Sequence, residues 1–139
     1  MFEKVTLITP SYRRQKYISR LVSFYSDIPV NLIIVDGTEG GPLYDSIDLR
    51  SAGSIKYFHQ PGRSIFERLF FATQHLDTPY VAWLGDDEFH VPSGLLTSIK
   101  ILERNTKISS SIGLCAGFRV ENSNIYWGNY YNYMPAVFR

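Results

Sequence analysis

The segment Val30-Asn31-Leu32-Ile33-Ile34-Val35, closed by Asp36-Gly37, constrains the fold more than any other stretch. It is nearly all apolar, too short for a buried helix, and rich in β-branched residues, so it reads as a strand covered on both faces, as strands of parallel sheets are. Upstream lies a second short β-rich run, Val5 to Thr9, which Pro10 is expected to end. Between the two, apolar side chains recur at Tyr17, Ile18, Leu21, Val22 and Tyr25, the stripe of an amphipathic helix. Strand, helix, strand in that order is a βαβ unit, whose crossover is right-handed.

The alternation continues. Ser54 to Phe58 reads as a third strand, and Pro61-Gly62 breaks the chain before a helix from about Ser64 to His75. Ser64 with Glu67 three residues on is a capping-box signature for that helix. Tyr80 to Leu84 is the fourth strand, Pro92 opens a helix to Arg104, and Ile112 to Val120 reads as a fifth strand. Gly37 to Gly53 has little periodicity and reads as a surface connection with one helical turn at most. The fold class is therefore α/β, a mainly parallel sheet with helices on both faces, in one domain over residues 1–139. In such sheets ligands bind beyond the carboxyl ends of the strands, at the switch point of strand order.

Composition narrows the function classes. With 14 basic and 13 acidic side chains the net charge is +1, without the basic stripe that nucleic acid needs. No run approaches the roughly twenty apolar residues of a membrane span. The single cysteine, Cys115, sits in an apolar stretch and reads as a buried, inert thiol. These features suit a cytoplasmic protein, with peripheral attachment to a membrane left open. The stretch Tyr126 to Tyr133 concentrates aromatic rings among Asn residues, as expected of a surface that packs on a sheet, stacks on sugar or covers itself by self-association.

The strand ends carry the chemistry. Asp36 closes the second strand and Asp86-Asp87, preceded by Gly85, closes the fourth, so three carboxylates share one rim. Nearby like charges raise each other's pKa unless a cation neutralises them, and Mg²⁺ or Mn²⁺ suits such a site, with one or two carboxylates and the rest of its sphere from water and phosphate. Tyr12 offers a stacking face, and Arg13 and Arg63 offer cations to phosphate. His59 and His90 flank the rim but read as packing or surface histidines, outside the metal site.

Three ordered segments resemble the family 2-like glycosyltransferases of the GT-A fold: Val5-Thr6-Leu7-Ile8-Thr9-Pro10-Ser11-Tyr12-Arg13, then Ile33-Ile34-Val35-Asp36-Gly37, then Thr78 to Phe89 with its Gly85-Asp86-Asp87 core. The resemblance spans Val5 to about Arg104, the nucleotide-sugar-binding half of that Rossmann-like fold. It implies a metal-dependent, inverting transfer from a nucleotide diphosphate sugar, by default a UDP-sugar, to a glycan, lipid-linked or protein acceptor, with a role in polysaccharide biosynthesis or related glycosylation. It implies Thr9, Pro10 and Tyr12 beside the nucleoside, Asp36 on the base, Asp86 near the ribose or sugar and also at the metal, and Asp87 on the metal.

The inverting mechanism needs a base, which in this family comes from a later acceptor half. Here Glu121 is the one acid beyond Arg104, and the acceptor half is expected to be largely absent, as in a truncated chain or one completed by a partner. The rival reading is a non-catalytic nucleotide-sugar-binding or assembly module. A haloacid dehalogenase-type phosphatase fits less well, because the position of its nucleophilic aspartate is Ile34. A nucleotidyltransferase would need a Gly-rich loop where Thr9 to Arg13 has no glycine.

Overall fold

The computed structural model describes residues 1–43 and 53–131. The chain divides into two compact units, Met1–His90 and Val91–Arg139. After a single 3₁₀ turn, the first unit runs β1 (Val5–Ser11), α1 (Gln15–Tyr25), β2 (Asn31–Asp36), β3 (Ile55–His59), α2 (Ile65–Thr73) and β4 (Tyr80–Trp83). The four strands form one parallel sheet in the order β3-β2-β1-β4. This is an α/β architecture of the Rossmann-like class. Strand order reverses at β1, which has β2 on one side and β4 on the other, so the switch point lies between β1 and β4.

Register explains which residues meet. Thr9 pairs with Ile34 and Ser11 with Asp36, so these four share one face of the sheet, together with Leu7 and Leu32. The buried stripe Ile18, Leu21, Val22 and Tyr25 of α1 follows the spacing of a helix laid on a sheet. The opposite face presents Ile8, Ile33 and Val35, which cluster with Ala72 of α2 and, half-buried around it, Phe58, Leu69, Phe71 and Leu76. The expected capping box is present: Ser64 Oγ accepts from the Glu67 amide, and the Glu67 carboxylate accepts from the Ser64 amide. It fixes where α2 starts and therefore which of its residues face inward.

Pro10 does not end β1, which continues to Ser11. The Ile8 carbonyl accepts from the Leu84 amide at 3.0 Å, so Ile8 points its backbone toward β4. Pro10, two residues on, points the same way, but β4 has stopped at Trp83, and the N–H that proline lacks has no acceptor to serve.

The second unit holds α3 (Pro92–Arg104), β5 (Cys115–Glu121) and β6 (Asn124–Tyr131). Here the sequence expectation is corrected: β5 does not join the parallel sheet but forms an antiparallel hairpin with β6. Asn122 and Ser123, with φ of 48° and 64°, make the two-residue turn with both φ values positive that suits the twist of paired strands. Cys115 is exposed on β5, not buried, since a two-stranded sheet has no neighbouring strand to form a wider covered face. Most of the 37–53 connection and the end of the aromatic stretch, 132–133, lie outside the described residues. No helix among the described residues is long and apolar enough to cross a membrane.

Candidate functional site

The carboxyl ends of β1, β2 and β4 converge in the first unit and bring together most of the residues singled out in the sequence. Asp86 is buried just beyond β4, and its Oδ2 accepts a hydrogen bond from Ser11 Oγ at 2.9 Å. The link crosses the switch point, from the last residue of β1 to the turn after β4. Asp87 is half-exposed beside it. Arg14, in the loop entering α1, bridges the two acids, with Nε 3.3 Å from Asp86 Oδ1 and Nη2 2.5 Å from Asp87 Oδ2. The Asp87 hydrogen bond raises the Arg14 guanidinium above its ordinary pKa. A third element closes the turn: the Gly85 amide donates to Glu88 Oε2 at 3.1 Å.

Asp36 is fully buried and is held by four hydrogen bonds. Its Oδ1 accepts from the Thr38 amide (2.9 Å) and the Thr38 hydroxyl (2.6 Å), and its Oδ2 from the Tyr57 hydroxyl (2.7 Å) and Gln15 Nε2 (3.3 Å). Burial pushes this carboxyl up, but the donors from Thr38, Tyr57 and Gln15 outweigh it and leave the pKa below the usual carboxylate value. The three rim acids are thus not neutralised alike: Arg14 serves the Asp86-Asp87 pair, while neutral donors hold Asp36 ionised.

The loops after β1 and β2 are tied together. The Arg13 amide donates to Thr38 Oγ1 at 2.7 Å, its side chain pairs with Glu39 at 2.5 Å, and the Tyr12 hydroxyl donates to the same carboxylate at 3.2 Å. Arg13 adopts φ of 57°, a left-handed conformation unusual for a residue with a Cβ, which the Thr38 and Glu39 contacts hold in place. Tyr12 leaves its ring partly exposed, with the Arg13 guanidinium 4.9 Å from the ring centre. Thr9 is fully buried and its hydroxyl has no hydrogen-bond partner. Arg63 is exposed and lies over the Phe71 ring at 5.8 Å, with no contact to the rim acids. His59 Nε2 lies 2.7 Å from the Thr38 carbonyl and His90 Nε2 lies 2.8 Å from the Trp83 carbonyl. Glu121 lies in the second unit, ion-paired with Arg119 at 3.3 Å.

One residue of the rim escapes the sequence reading. Arg68 of α2 is buried, donates through Nη1 to the Ser11 carbonyl, and has no partner for Nε. Among the described residues no carboxylate pairs with it, and its guanidinium lies 6.0 Å from the Tyr12 ring centre, so the rim contains a buried cation with unspent hydrogen-bonding capacity, a costly arrangement for a group with only structural work. Room for it comes from Gly37: a Cβ there would lie 2.3 Å from Nη1 and 2.6 Å from Cζ. The signal was present, since Arg68 stands one helical turn before the buried Ala72, but the helix is apolar nearly all round and its inward face is not readable from period alone.

A metal ion would have two carboxylates here, Asp86 and Asp87. Among the described residues no group of three or more His, Cys, Asp or Glu side chains converges. Two carboxylates completed by water and phosphate oxygens are an ordinary donor set for Mg²⁺ or Mn²⁺, so the pair fits such an ion in kind. No model of a known protein family matches the chain, and no curated protein matches it. The rim geometry and the three motif segments therefore carry the functional argument.

Proposed function

We propose that the carboxyl-end rim of the parallel sheet binds a nucleotide diphosphate sugar, and that the chain is the donor-binding part of a metal-dependent, inverting glycosyltransferase of GT-A type. The observation that carries this reading is the buried Asp86, held by Ser11 across the switch point, where α/β sheets place their ligands. Arg68 and Arg14 bring two cations to the same rim, as a diphosphate requires. The exposed face of Tyr12 offers the nucleobase a stacking surface.

In this reading each side chain has a separate task. Asp36 receives an imide N–H at Oδ2, where the donor displaces Gln15, whose 3.3 Å bond is the longest of the four. Arg68 directs Nε and its remaining N–H groups at the phosphates. Asp86 and Asp87 hold Mg²⁺ or Mn²⁺, which when bound supplies charge stabilisation to the leaving diphosphate. UDP is the expected nucleotide. The acceptor is a glycan, lipid-linked or protein hydroxyl. The second reading is a module that binds nucleotide sugar without transferring it, in which Glu121, in an exposed ion pair with Arg119, has no catalytic task.

Calorimetric titration of the chain with UDP and with GDP, in Mn²⁺ and in EDTA, tests the proposal against Asp87→Ala. Metal-dependent binding of one nucleotide, lost in the variant, supports it. Absence of binding by a folded chain removes the proposed site; where UDP binds, incubation with a UDP-sugar that releases no hydrolysed or transferred sugar selects the second reading.

A further inference from the structure

We infer that Arg14 is a built-in counter-cation of the acid pair, so that a divalent ion competes with it for the charge of that pair, and that a guanidinium moved aside by the ion becomes available to the diphosphate. The inference rests on reading Asp86-Asp87 as the metal ligands. Its basis is the division of oxygens. Asp86 Oδ2 is engaged by Ser11 and Asp86 Oδ1 by Arg14 Nε, while Asp87 Oδ2 is engaged by Arg14 Nη2. Among the described residues Asp87 Oδ1 alone of the four carboxylate oxygens has neither a hydrogen bond nor an ion pair, so an ion that uses both residues comes to an Asp86 oxygen already engaged by Ser11 or Arg14, beside the guanidinium.

The competition is electrostatic as well as steric. A guanidinium between two carboxylates already neutralises the charge that would attract a cation, and bringing a dication beside it places like charges together. The other basic residues nearby do not share this position: Arg13 is paired with Glu39, and Arg68 donates to the Ser11 carbonyl. Phosphate reverses the balance, because it supplies anionic oxygens both to the ion and to the released Arg14. Metal and nucleotide therefore bind with positive coupling, each raising the affinity of the other by the same factor. The device keeps the acid pair closed to free metal until a diphosphate arrives.

The test measures Mn²⁺ binding alone, by the electron paramagnetic resonance signal of free Mn²⁺ at low ionic strength, for the unaltered chain, Arg14→Gln, Arg14→Lys, Asp87→Asn and Arg14→Gln/Asp87→Asn. Removing the charge in Arg14→Gln is expected to tighten Mn²⁺ binding about tenfold, within the ordinary range of coupling between sites. Arg14→Lys should return toward the unaltered value, and the double variant should lose the gain. If Arg14→Gln and the unaltered chain bind Mn²⁺ equally while Asp87→Asn weakens it, the acid pair is a metal site and the role given to Arg14 is wrong. If no variant binds Mn²⁺ although circular dichroism shows each folded, the metal reading fails, and this inference fails with it.

Discussion

Ser11 Oγ donates to Asp86 Oδ2 at 2.9 Å across 75 residues of sequence, and this one bond joins the last residue of the central strand to the acid beyond β4. Substituting Ser11→Ala leaves a buried carboxylate oxygen without its donor. We expect a loss of roughly 1–3 kcal/mol in urea unfolding and a several-fold weakening of metal-dependent UDP binding. Unchanged nucleotide affinity would show that Asp86 needs no such anchor.

Asp36 provides a test in acid. Its folded pKa is depressed, so the carboxylate contributes stability that is present above the unfolded-state pKa and is lost as pH falls through the lower folded value. Acid unfolding of the unaltered chain should steepen below the ordinary carboxylate range, and Asp36→Asn should flatten that dependence. Asp36→Ala strands the donors of Thr38, Tyr57 and Gln15 and is expected to cost about 3 kcal/mol. Thermal unfolding across pH 2–6 measures both.

Tyr25 governs the alkaline limb. Burial pushes its phenol from 10.0 to about 12, and the His90 amide donates to its oxygen at 2.9 Å. A raised folded pKa means the contribution is complete below the unfolded value and declines as pH rises toward the folded one. Stability should therefore fall between pH 10 and about 12 through this residue, and Tyr25→Phe should remove that part of the decline. An identical alkaline profile in the phenylalanine variant would contradict the assignment.

Arg68 should trade stability for binding. Replacing a buried, incompletely satisfied cation with a side chain of similar length is often neutral or stabilising, so Arg68→Met is expected to keep or raise the melting temperature. The same change should lower UDP affinity by more than about tenfold, the usual consequence of losing a charged contact to phosphate. Gly37→Ala should reproduce the binding loss in milder form, because its methyl group displaces the guanidinium. A melting temperature that collapses with unchanged affinity would make Arg68 purely structural.

The elements of the first unit were legible because each carries its own local signal. Continuous apolar runs mark β1 and β2, the stripe from Ile18 to Tyr25 marks α1, and Ser64 with Glu67 marks the start of α2. The rim acids were legible because strand ends place them. What escaped depends on relations between distant segments. The end of β4 at Trp83 decides that Pro10 is tolerated inside β1, and no property of Pro10 itself reports it. The β5–β6 hairpin turns on Asn122-Ser123, a weaker turn signal than an Asn-Gly pair, and the aromatic run behind it masked the alternation of a strand. On α2 the most exposed apolar residues are Phe66 and Phe70, at 78% and 68%, while an arginine is inside, the reverse of what hydropathy alone suggests.

The capping box of α2 has a reach well beyond its own two side chains. Ser64 and Glu67 are exposed and touch none of the rim acids, yet they set the rotational phase of the helix that carries Arg68. A start displaced by one residue would turn every side chain by about 100°, bringing a glutamate or a leucine, Glu67 or Leu69, toward Ser11 in place of the guanidinium. Two surface residues thus act as the detent of a dial, and the charge at the bottom of the cleft is one of its settings.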